Sequence, residues 1–153
     1  MTSLPPPLGI DRAGISIGNT SDSHFVVSEN RLIHRTPDRP DYVYRWPDIE
    51  SLDLYLPIGR WSRPALADIL VGALRMVLTL SAWTGDAPIG SLTVRAIGET
   101  SVQLDITPHY VVGYDSRSAI TAANFLREIH CDPELRSILR DPEAVSATLR
   151  RLF

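Results

Sequence analysis

The chain has 153 residues and a formal net charge of −3. That length allows one domain with a sizeable core, and the charge gives no electrostatic reason to expect a nucleic-acid partner. Hydrophobic residues make up 44% of the chain and charged residues 22%, a balance that argues against wholesale disorder. All fifteen basic residues are arginine, so lysine chemistry such as Schiff-base catalysis is excluded.

Cysteine use and the hydropathy pattern indicate the compartment. Cys131 is the single cysteine, so no intrachain disulfide can form, as is typical of a reducing environment. The first residues lack the basic start and apolar run of a signal peptide. The most apolar stretch, Ala65 to Ala82, contains Asp68 and Arg75, which favours soluble core over a membrane span. We expect a cytoplasmic protein and, because arginine codons are GC-rich, a GC-rich bacterial or phage genome.

The first third of the chain is typical of short strands. Residues 1–13 contain three consecutive prolines and predict a loose tail. Alternating or β-branched residues then predict successive strands separated by turn residues. These strands begin at Gly14 and continue at His24–Val27, Arg31–Arg35 and Tyr42–Trp46.

The segment from Trp46 to Ile49 predicts a corner rather than a site. Pro47 cannot donate a ladder hydrogen bond, so a central strand should not run straight through it. Asp48 favours a turn, and the alternation of leucines from Leu52 to Leu56 predicts a further strand. We therefore expect Trp46 and Ile49 to bury their side chains at a bend between two strands.

The middle of the chain leaves one element open. Residues 57–64 predict a loop, and residues 65–74 fit either a short helix or the start of a buried strand. Further strands are predicted at Met76–Trp83, Ser91–Ile97 and Ser101–Ile106, with a last short strand at Tyr110–Val112.

The C-terminal third is typical of helices. Ser116 or Ser118 can cap a helix with an apolar face at Ala122, Phe125, Leu126 and Ile129. The tripeptide Asp-Pro-Glu then occurs at 132–134 and at 141–143. Asp suits an N-cap and Pro the first helical position, so each copy predicts the start of another helix.

This order of elements resembles the pleckstrin-homology-like family, particularly its bacterial members. The segments that carry the resemblance are Arg31–Arg35, Trp46–Leu52 and Phe125–Ile129, and it covers about residues 14–131. It implies an α+β fold: a small antiparallel β-barrel or sandwich of about seven strands, capped by a C-terminal helix. We expect a loose tail at 1–13, this domain at 14–131 and a helical extension at 132–153.

One departure from the family concerns its ligands. Family members that bind inositol phospholipids present a basic cluster around the first hairpin. Here no arginine lies between Arg12 and Arg31, and Asp22 occupies that loop. The sequence therefore makes no case for membrane or inositol phospholipid binding.

No motif predicts catalysis. His24, His34, His109 and His130 lack metal-ligand spacing, and one cysteine cannot build a structural zinc site. Within His130-Cys131-Asp132, sequence neighbours on a helix do not face each other. The sequence contains no nucleophile elbow, phosphate loop or dinucleotide fingerprint. We predict no enzyme activity, no metal and no cofactor; a buried cluster of His24, His34 or His109 with carboxylates would favour an enzyme instead.

The candidate binding residues are Arg60, Trp61 and Arg63. Two arginines flanking a tryptophan are a combination enriched at protein interfaces; the alternative is that Trp61 packs onto the fold and the arginines are solvated. The sequence thus predicts a non-catalytic binding module that recognises a protein partner or a second copy of itself. One alternative is a small apolar ligand in a cavity lined by Trp46, Trp83 and Tyr110. A further alternative is a toxin-neutralising, immunity-type protein.

Overall fold

A computed structural model describes residues 4, 6–59, 88–110 and 113–152. The predicted elements at residues 65–74 and Met76–Trp83, the Arg60–Arg63 loop and residues 111–112 lie outside these ranges. The strands are β1 (Leu8–Asp11), β2 (Gly14–Ile17), β3 (His24–Val27), β4 (Arg31–Thr36), β5 (Arg39–Arg45), β6 (Ile49–Tyr55), β7 (Gly90–Ala96) and β8 (Val102–Ile106). The α-helices are α1 (Ser116–Cys131) and α2 (Pro142–Leu152), with 3-10 turns at Trp46–Asp48 and Leu135–Arg140.

The first five strands form one antiparallel sheet in chain order, β1 to β5. One row of paired residues crosses the whole sheet and consists of Leu8, Ile17, Phe25, His34 and Tyr42. Because side chains alternate between faces, this row shares a face with Ile15, Val27 and Leu32, and these apolar side chains enter the hydrophobic core. The pairing slips between His34 and Thr36, which places a bulge near the tip of the last hairpin.

The N-terminal residues differ from the expected loose tail. Residues 8–11 form β1 and pair with β2, and Leu4 and Leu8 belong to the hydrophobic core. The prolines that suggested a tail precede the strand, where they remove no ladder hydrogen bond. Apolar burial at Leu4 and Leu8 therefore ties this segment to the fold.

The second sheet contains β6, β7 and β8 in that order. Leu54, Leu92 and Leu104 pair across it and all lie on its inner face. Among the described strands no ladder joins the two sheets, so the fold is α+β with two antiparallel sheets and C-terminal helices. Of the expected barrel or sandwich, the antiparallel sheets and the C-terminal helix are confirmed, and the described strands do not close into a barrel.

Helix α1 closes the core from the side of β6. Asp115, not the predicted serines, caps the helix, because its carboxylate accepts the Ser118 N–H at 2.9 Å and the Ser118 hydroxyl at 2.6 Å. Burial disfavours ionisation of this carboxyl, but these hydrogen bonds outweigh it and lower the pKa of Asp115. The expected apolar face is confirmed, since Ala122, Phe125, Leu126 and Ile129 are all buried.

The C-terminal extension packs on the same core. Leu139 of the second 3-10 turn, together with Val145 and Leu149 of α2, belongs to the cluster that contains the sheet residues. The second Asp-Pro-Glu begins α2 as predicted, whereas the first precedes the 3-10 turn Leu135–Arg140. No helix in the described ranges has the length and apolarity needed to cross a bilayer.

The predicted corner at Trp46 is confirmed. Trp46–Asp48 forms a 3-10 turn between β5 and β6, and both Trp46 and Ile49 are buried. The Trp46 indole N–H donates to the Ser28 carbonyl at 2.9 Å. The Arg136 guanidinium lies 5.0 Å from the indole ring and donates to the carbonyls of Ile129 and His130 at the end of α1. One tryptophan therefore connects the first sheet, the corner and the end of the helix.

Replacing Trp46 should lower the free energy of unfolding. Trp46→Ala removes a buried aromatic side chain, its hydrogen bond and its cation–π contact, so we expect a loss of about 3–5 kcal/mol in the free energy of unfolding. Urea denaturation measures this loss. Tyr55→Ala, at a position 61% exposed, serves as the control and should change stability by less than about 0.5 kcal/mol. Equal midpoints for Trp46→Ala and wild type would show that the corner contributes nothing.

Candidate functional site

The two sheets meet where the loop after β2 approaches the end of β8. The Asn19 N–H donates to the Thr107 carbonyl, and the Thr107 N–H donates to the Ser23 carbonyl, both at 2.8 Å. The Ser23 hydroxyl donates to the Asp105 carbonyl at 2.6 Å. His34 Nε2 lies 2.9 Å from the Ser23 hydroxyl and 3.0 Å from the same carbonyl. We call Ser23, His34 and the Asp105 backbone the clasp, because it joins the five-stranded sheet to β8.

The clasp favours one tautomer of His34. A carbonyl oxygen only accepts hydrogen bonds, so the 3.0 Å contact with the Asp105 carbonyl is satisfied when Nε2 carries the proton. The Ser23 proton is already donated to that carbonyl. A serine nucleophile needs the reverse arrangement, in which an unprotonated histidine nitrogen takes the hydroxyl proton. In this arrangement His34 cannot activate Ser23, and the pair acts as a structural connection between the sheets.

The other nitrogen of His34 has no partner among the described residues. His34 is 5% exposed, and neither its Nδ1 nor the Thr36 hydroxyl has a hydrogen-bond partner in the described part of the chain. The ring stacks between Phe25, whose centroid is 4.6 Å away, and Tyr42, at 6.2 Å. With the proton on Nε2, the Nδ1 lone pair is a buried acceptor, and an unmet acceptor costs about 1–3 kcal/mol.

Burial keeps His34 neutral. Burial lowers the pKa of His34, and the nearby His24 lowers it further, while the Asp105 carbonyl and the charges of Asp105 and Asp41 oppose this shift. Protonation would also place a donor on Nδ1, where none of the described residues offers an acceptor. The neutral ring is therefore the form that suits the folded state.

A second histidine stands beside Tyr114, close to the start of α1. His109 Nδ1 lies 3.0 Å from the Tyr114 hydroxyl, which also accepts the His109 N–H at 2.8 Å. Burial lowers the pKa of His109 and raises the pKa of Tyr114 to about 12. The electrostatic effect of His24 reaches both His34 and His109. Nevertheless, the described residues contain no group of three metal-ligating side chains.

A cleft of about 490 Å³ opens beside the clasp. Its walls come from the β4–β5 hairpin, the end of β8 with the residues that follow it, and the two residues before β7. The lining contains the prolines Pro37, Pro88 and Pro108, the apolar or aromatic side chains Ile89, Leu104 and Tyr42, and the charged side chains Asp22, Asp38, Asp105 and Arg39. Ser23, His34 and Thr36 also line the cleft. Such a mixed lining is typical of a binding surface in which a few polar groups fix orientation.

The candidate binding residues Arg60, Trp61 and Arg63 lie outside the described residues, so their role stays a prediction. The trio around Cys131 is not assembled: His130 Nε2 lies 3.2 Å from the Ile49 carbonyl, while Asp132 accepts the Glu134 N–H. Cys131 is exposed.

Two of the three aromatic residues proposed to line an apolar cavity pack against different partners. Trp46 packs at the corner against His130, with ring centroids 6.3 Å apart. Tyr110 packs against Tyr114, at 5.9 Å. Trp83 lies outside the described ranges, and the expectation of an apolar-ligand cavity stays a prediction.

Sequence reasoning missed the clasp and the cleft. Ser23 and Asp105 are 82 residues apart, and the acceptor is a backbone carbonyl, which no residue type signals. In the sequence His34 stood out only as one of four histidines, none of them at metal-ligand spacing. The chain matches no family model, no curated protein and no solved structure. Its function must therefore be inferred from its own residues.

Gly18 packs closely against β8 where the two sheets meet, so a larger residue there should destabilise the protein. Gly18 has a φ of +98°, and a Cβ there would lie 2.5 Å from Ile106 Cγ2. Gly18→Ala should therefore lose both backbone and packing energy, about 2–4 kcal/mol in the free energy of unfolding. Gly98→Ala is the matched control, because Gly98 has a φ of +77° with open space around it. Equal losses in urea denaturation would contradict the close packing of Gly18 against β8.

The lowered pKa of His34 predicts how the free energy of unfolding depends on pH. Because the pKa of His34 is lowered from 6.5 in the folded state, its contribution is complete above pH 6.5. Below that pH, His34 binds a proton in the unfolded chain but not in the folded chain. The free energy of unfolding therefore falls as the pH drops toward the folded pKa. His34→Gln keeps a side-chain N–H donor for the Asp105 carbonyl but does not titrate. Its free energy of unfolding should decline less than that of wild type between pH 7 and 5; parallel curves would contradict this account of His34.

Proposed function

We propose that this protein is a non-catalytic binding module, built on a pleckstrin-homology-like fold, that recognises a partner protein by pairing an extended segment with β5. The order of elements supports this fold: a meander sheet, a Trp46–Asp48 corner, a second sheet and then a helix that packs on β6. The function rests on the surface beside β5, since a fold does not fix a function.

The observation that carries the proposal is the exposure of β5. This strand ends the five-stranded sheet, and no other described strand pairs with its outer side. Six of its seven residues are exposed, and Tyr42 and Val43 are each 49% exposed. An uncovered edge strand offers backbone donors and acceptors to a segment of another chain.

The two ends of this sheet differ. At the opposite edge, Leu8 of β1 is buried in the core, and Asp11 is bonded to Arg35 at 3.0 Å. In β5, Pro40 has no N–H to donate, and the flanking charges of Arg39 and Asp41 disfavour non-specific strand pairing. The stretch from Asp41 to Arg45 remains available, with the cleft beside it. Extended-segment binding needs such an edge together with a place for alternate side chains.

Other forms of protein binding fit the same surface. A second copy of the chain could pair β5 with β5, which would make the partner the protein itself. Neutralisation of a toxin would be a special case of binding to a partner and would need no different surface. The Arg60–Arg63 loop stays a predicted additional contact.

Selection from a random peptide library displayed on phage tests this function. We expect enrichment of extended, β-forming peptides that shift the amide NMR signals of β5. The double variant Tyr42→Ala/Val43→Ala should weaken their binding at least tenfold, because it removes the apolar surface of the edge.

Ile120→Ala is the matched control, since Ile120 is an equally exposed apolar residue, at 56%, on α1. Enriched peptides that bind the double variant as tightly as wild type, or no enrichment at all, would refute the proposal. Sedimentation equilibrium identifies self-pairing, because a dimer lost in the double variant would make a second copy the partner.

A further inference from the structure

An edge strand can pair with the same strand of a second copy of the chain, and symmetry then restricts the register. Two identical antiparallel strands in one sheet are related by a two-fold axis normal to the sheet. Residues directly opposite each other in such a pair point to the same face, so the centre of the pairing must fall on a residue rather than between two. Within Asp41–Arg45 the centres that allow pairing on both sides are Tyr42, Val43 and Tyr44.

The charges of β5 distinguish two of these centres. When the centre falls on Val43, Asp41 of each copy lies opposite Arg45 of the other. Both ends of the pairing then bring opposite charges together, which favours a cross-strand pair. A centre on Tyr42 instead places Arg39 opposite Arg45, and like charges directly opposite each other are unfavourable. The charge pattern of β5 is therefore complementary to itself in the Val43 register.

The ends of the strand agree with the Val43 register. A centre on Tyr44 would place Trp46 opposite Tyr42, but Trp46 is buried in the 3-10 turn that follows β5. With the centre on Val43, Pro40 and Trp46 lie opposite each other and close the pairing at both ends. The residue that has no N–H to donate thus falls just outside the paired stretch.

An independent observation within the single chain concerns Arg45. Arg31 of β4 pairs directly with Arg45; both residues are exposed, and neither forms an ion pair with a described residue. Asp41 lies 3.6 Å from Arg35, beyond hydrogen-bond distance, and its side chain is 48% exposed. An Asp41 carboxylate from a second copy would therefore meet positive charge that the described residues leave unbalanced.

The other face of the pairing is aromatic. In the Val43 register Tyr42 of each copy lies opposite Tyr44 of the other, and aromatic cross-strand pairs stabilise sheets. Tyr42 and Val43 are each 49% exposed in the single chain, whereas Tyr44 already packs partly against the core. Pairing covers both exposed side chains. Because the paired stretch is short and the interface small, we expect a dissociation constant in the micromolar range or weaker.

We propose that the extended segment that pairs with β5 is β5 of a second copy of this chain, in the antiparallel register centred on Val43. This inference rests on the proposed function, because it names the partner at the same edge. Asp41 and Arg45 form reciprocal ion pairs at the two ends of the pairing. The two five-stranded sheets then join edge to edge into one continuous sheet.

Reversal of one charge at a time tests the register. Asp41→Arg brings arginine against arginine at both ends of the pairing, and Arg45→Asp brings aspartate against aspartate. In sedimentation equilibrium, wild-type protein should dimerise at high micromolar concentration, and each variant should weaken dimerisation by roughly tenfold or more. The matched control is Arg127→Asp, which makes the same change of charge as Arg45→Asp at an exposed position on α1 and should leave dimerisation unchanged.

A mixture of the two variants gives the sharper result. The Asp41→Arg chain carries arginine at both positions and the Arg45→Asp chain carries aspartate at both, so a mixed pair joins opposite charges at each end. We expect each variant to be monomeric alone and the mixture to form a heterodimer, detected through the β5 amide NMR signals of one isotope-labelled chain. Recovery of the dimer also shows that both variants are folded. A mixture that stays monomeric while wild type dimerises would overturn the register.

Failure of the inference differs from failure of the proposed function. If wild type stays monomeric while library-selected peptides bind at β5, self-pairing is wrong and edge pairing stands. If the charge reversals at Asp41 and Arg45 dimerise as wild type does, the copies meet at another surface and the inference is overturned. An equal loss in Arg127→Asp would indicate a general effect of charge and also overturn it. If neither selected peptides nor a second copy perturbs the β5 amides, both the inference and the proposed function fail.

Discussion

Two sheets that share no ladder hydrogen bonds must be held together by side chains and loops, and this constraint organises the described structure. At one end the Trp46 corner joins β5 to β6 and meets the end of α1 through Arg136. At the other, the clasp of Ser23, His34 and the Asp105 carbonyl ties the first sheet to β8. Between them the apolar faces and α1 share one core. Because no ladder joins the described strands of the two sheets and only a few main-chain hydrogen bonds, such as those of Thr107 with Asn19 and Ser23, cross between them, loss of either connection should cost stability out of proportion to its size.

The same constraint produces the candidate site. A clasp needs a polar side chain inside the fold, and His34 fulfils this role with its Nδ1 left without a described partner. A cleft lies beside the clasp, between the β4–β5 hairpin and the end of β8, and no described strand pairs with the outer side of β5. The exposed edge of β5, the cleft and the buried His34 acceptor therefore all lie where the two sheets are joined.

The sequence anticipated what local patterns control. The strand at His24–Val27 and the apolar face of α1 follow from periodicity, and Pro47 explains the corner. The strand at Leu8–Asp11 was missed because the preceding prolines suggested a tail, although burial of Leu8 outweighed them. The expected barrel or sandwich is confirmed only as two antiparallel sheets, because periodicity does not reveal which strands pair and the described strands form no closed barrel. The clasp could not be foreseen, because its acceptor is a carbonyl 82 residues from Ser23.

The measurement that tests the central claim most directly is amide hydrogen exchange by NMR, with and without a peptide enriched from the phage-displayed library. Edge pairing requires new hydrogen bonds from those β5 amides that face outward. We predict that exchange slows at alternate residues of Asp41–Arg45 and stays unchanged in β1, at the opposite edge of the same sheet. Unchanged exchange along β5 in a saturated complex, or equal slowing in β1, would contradict the claim that β5 and its cleft form the docking surface.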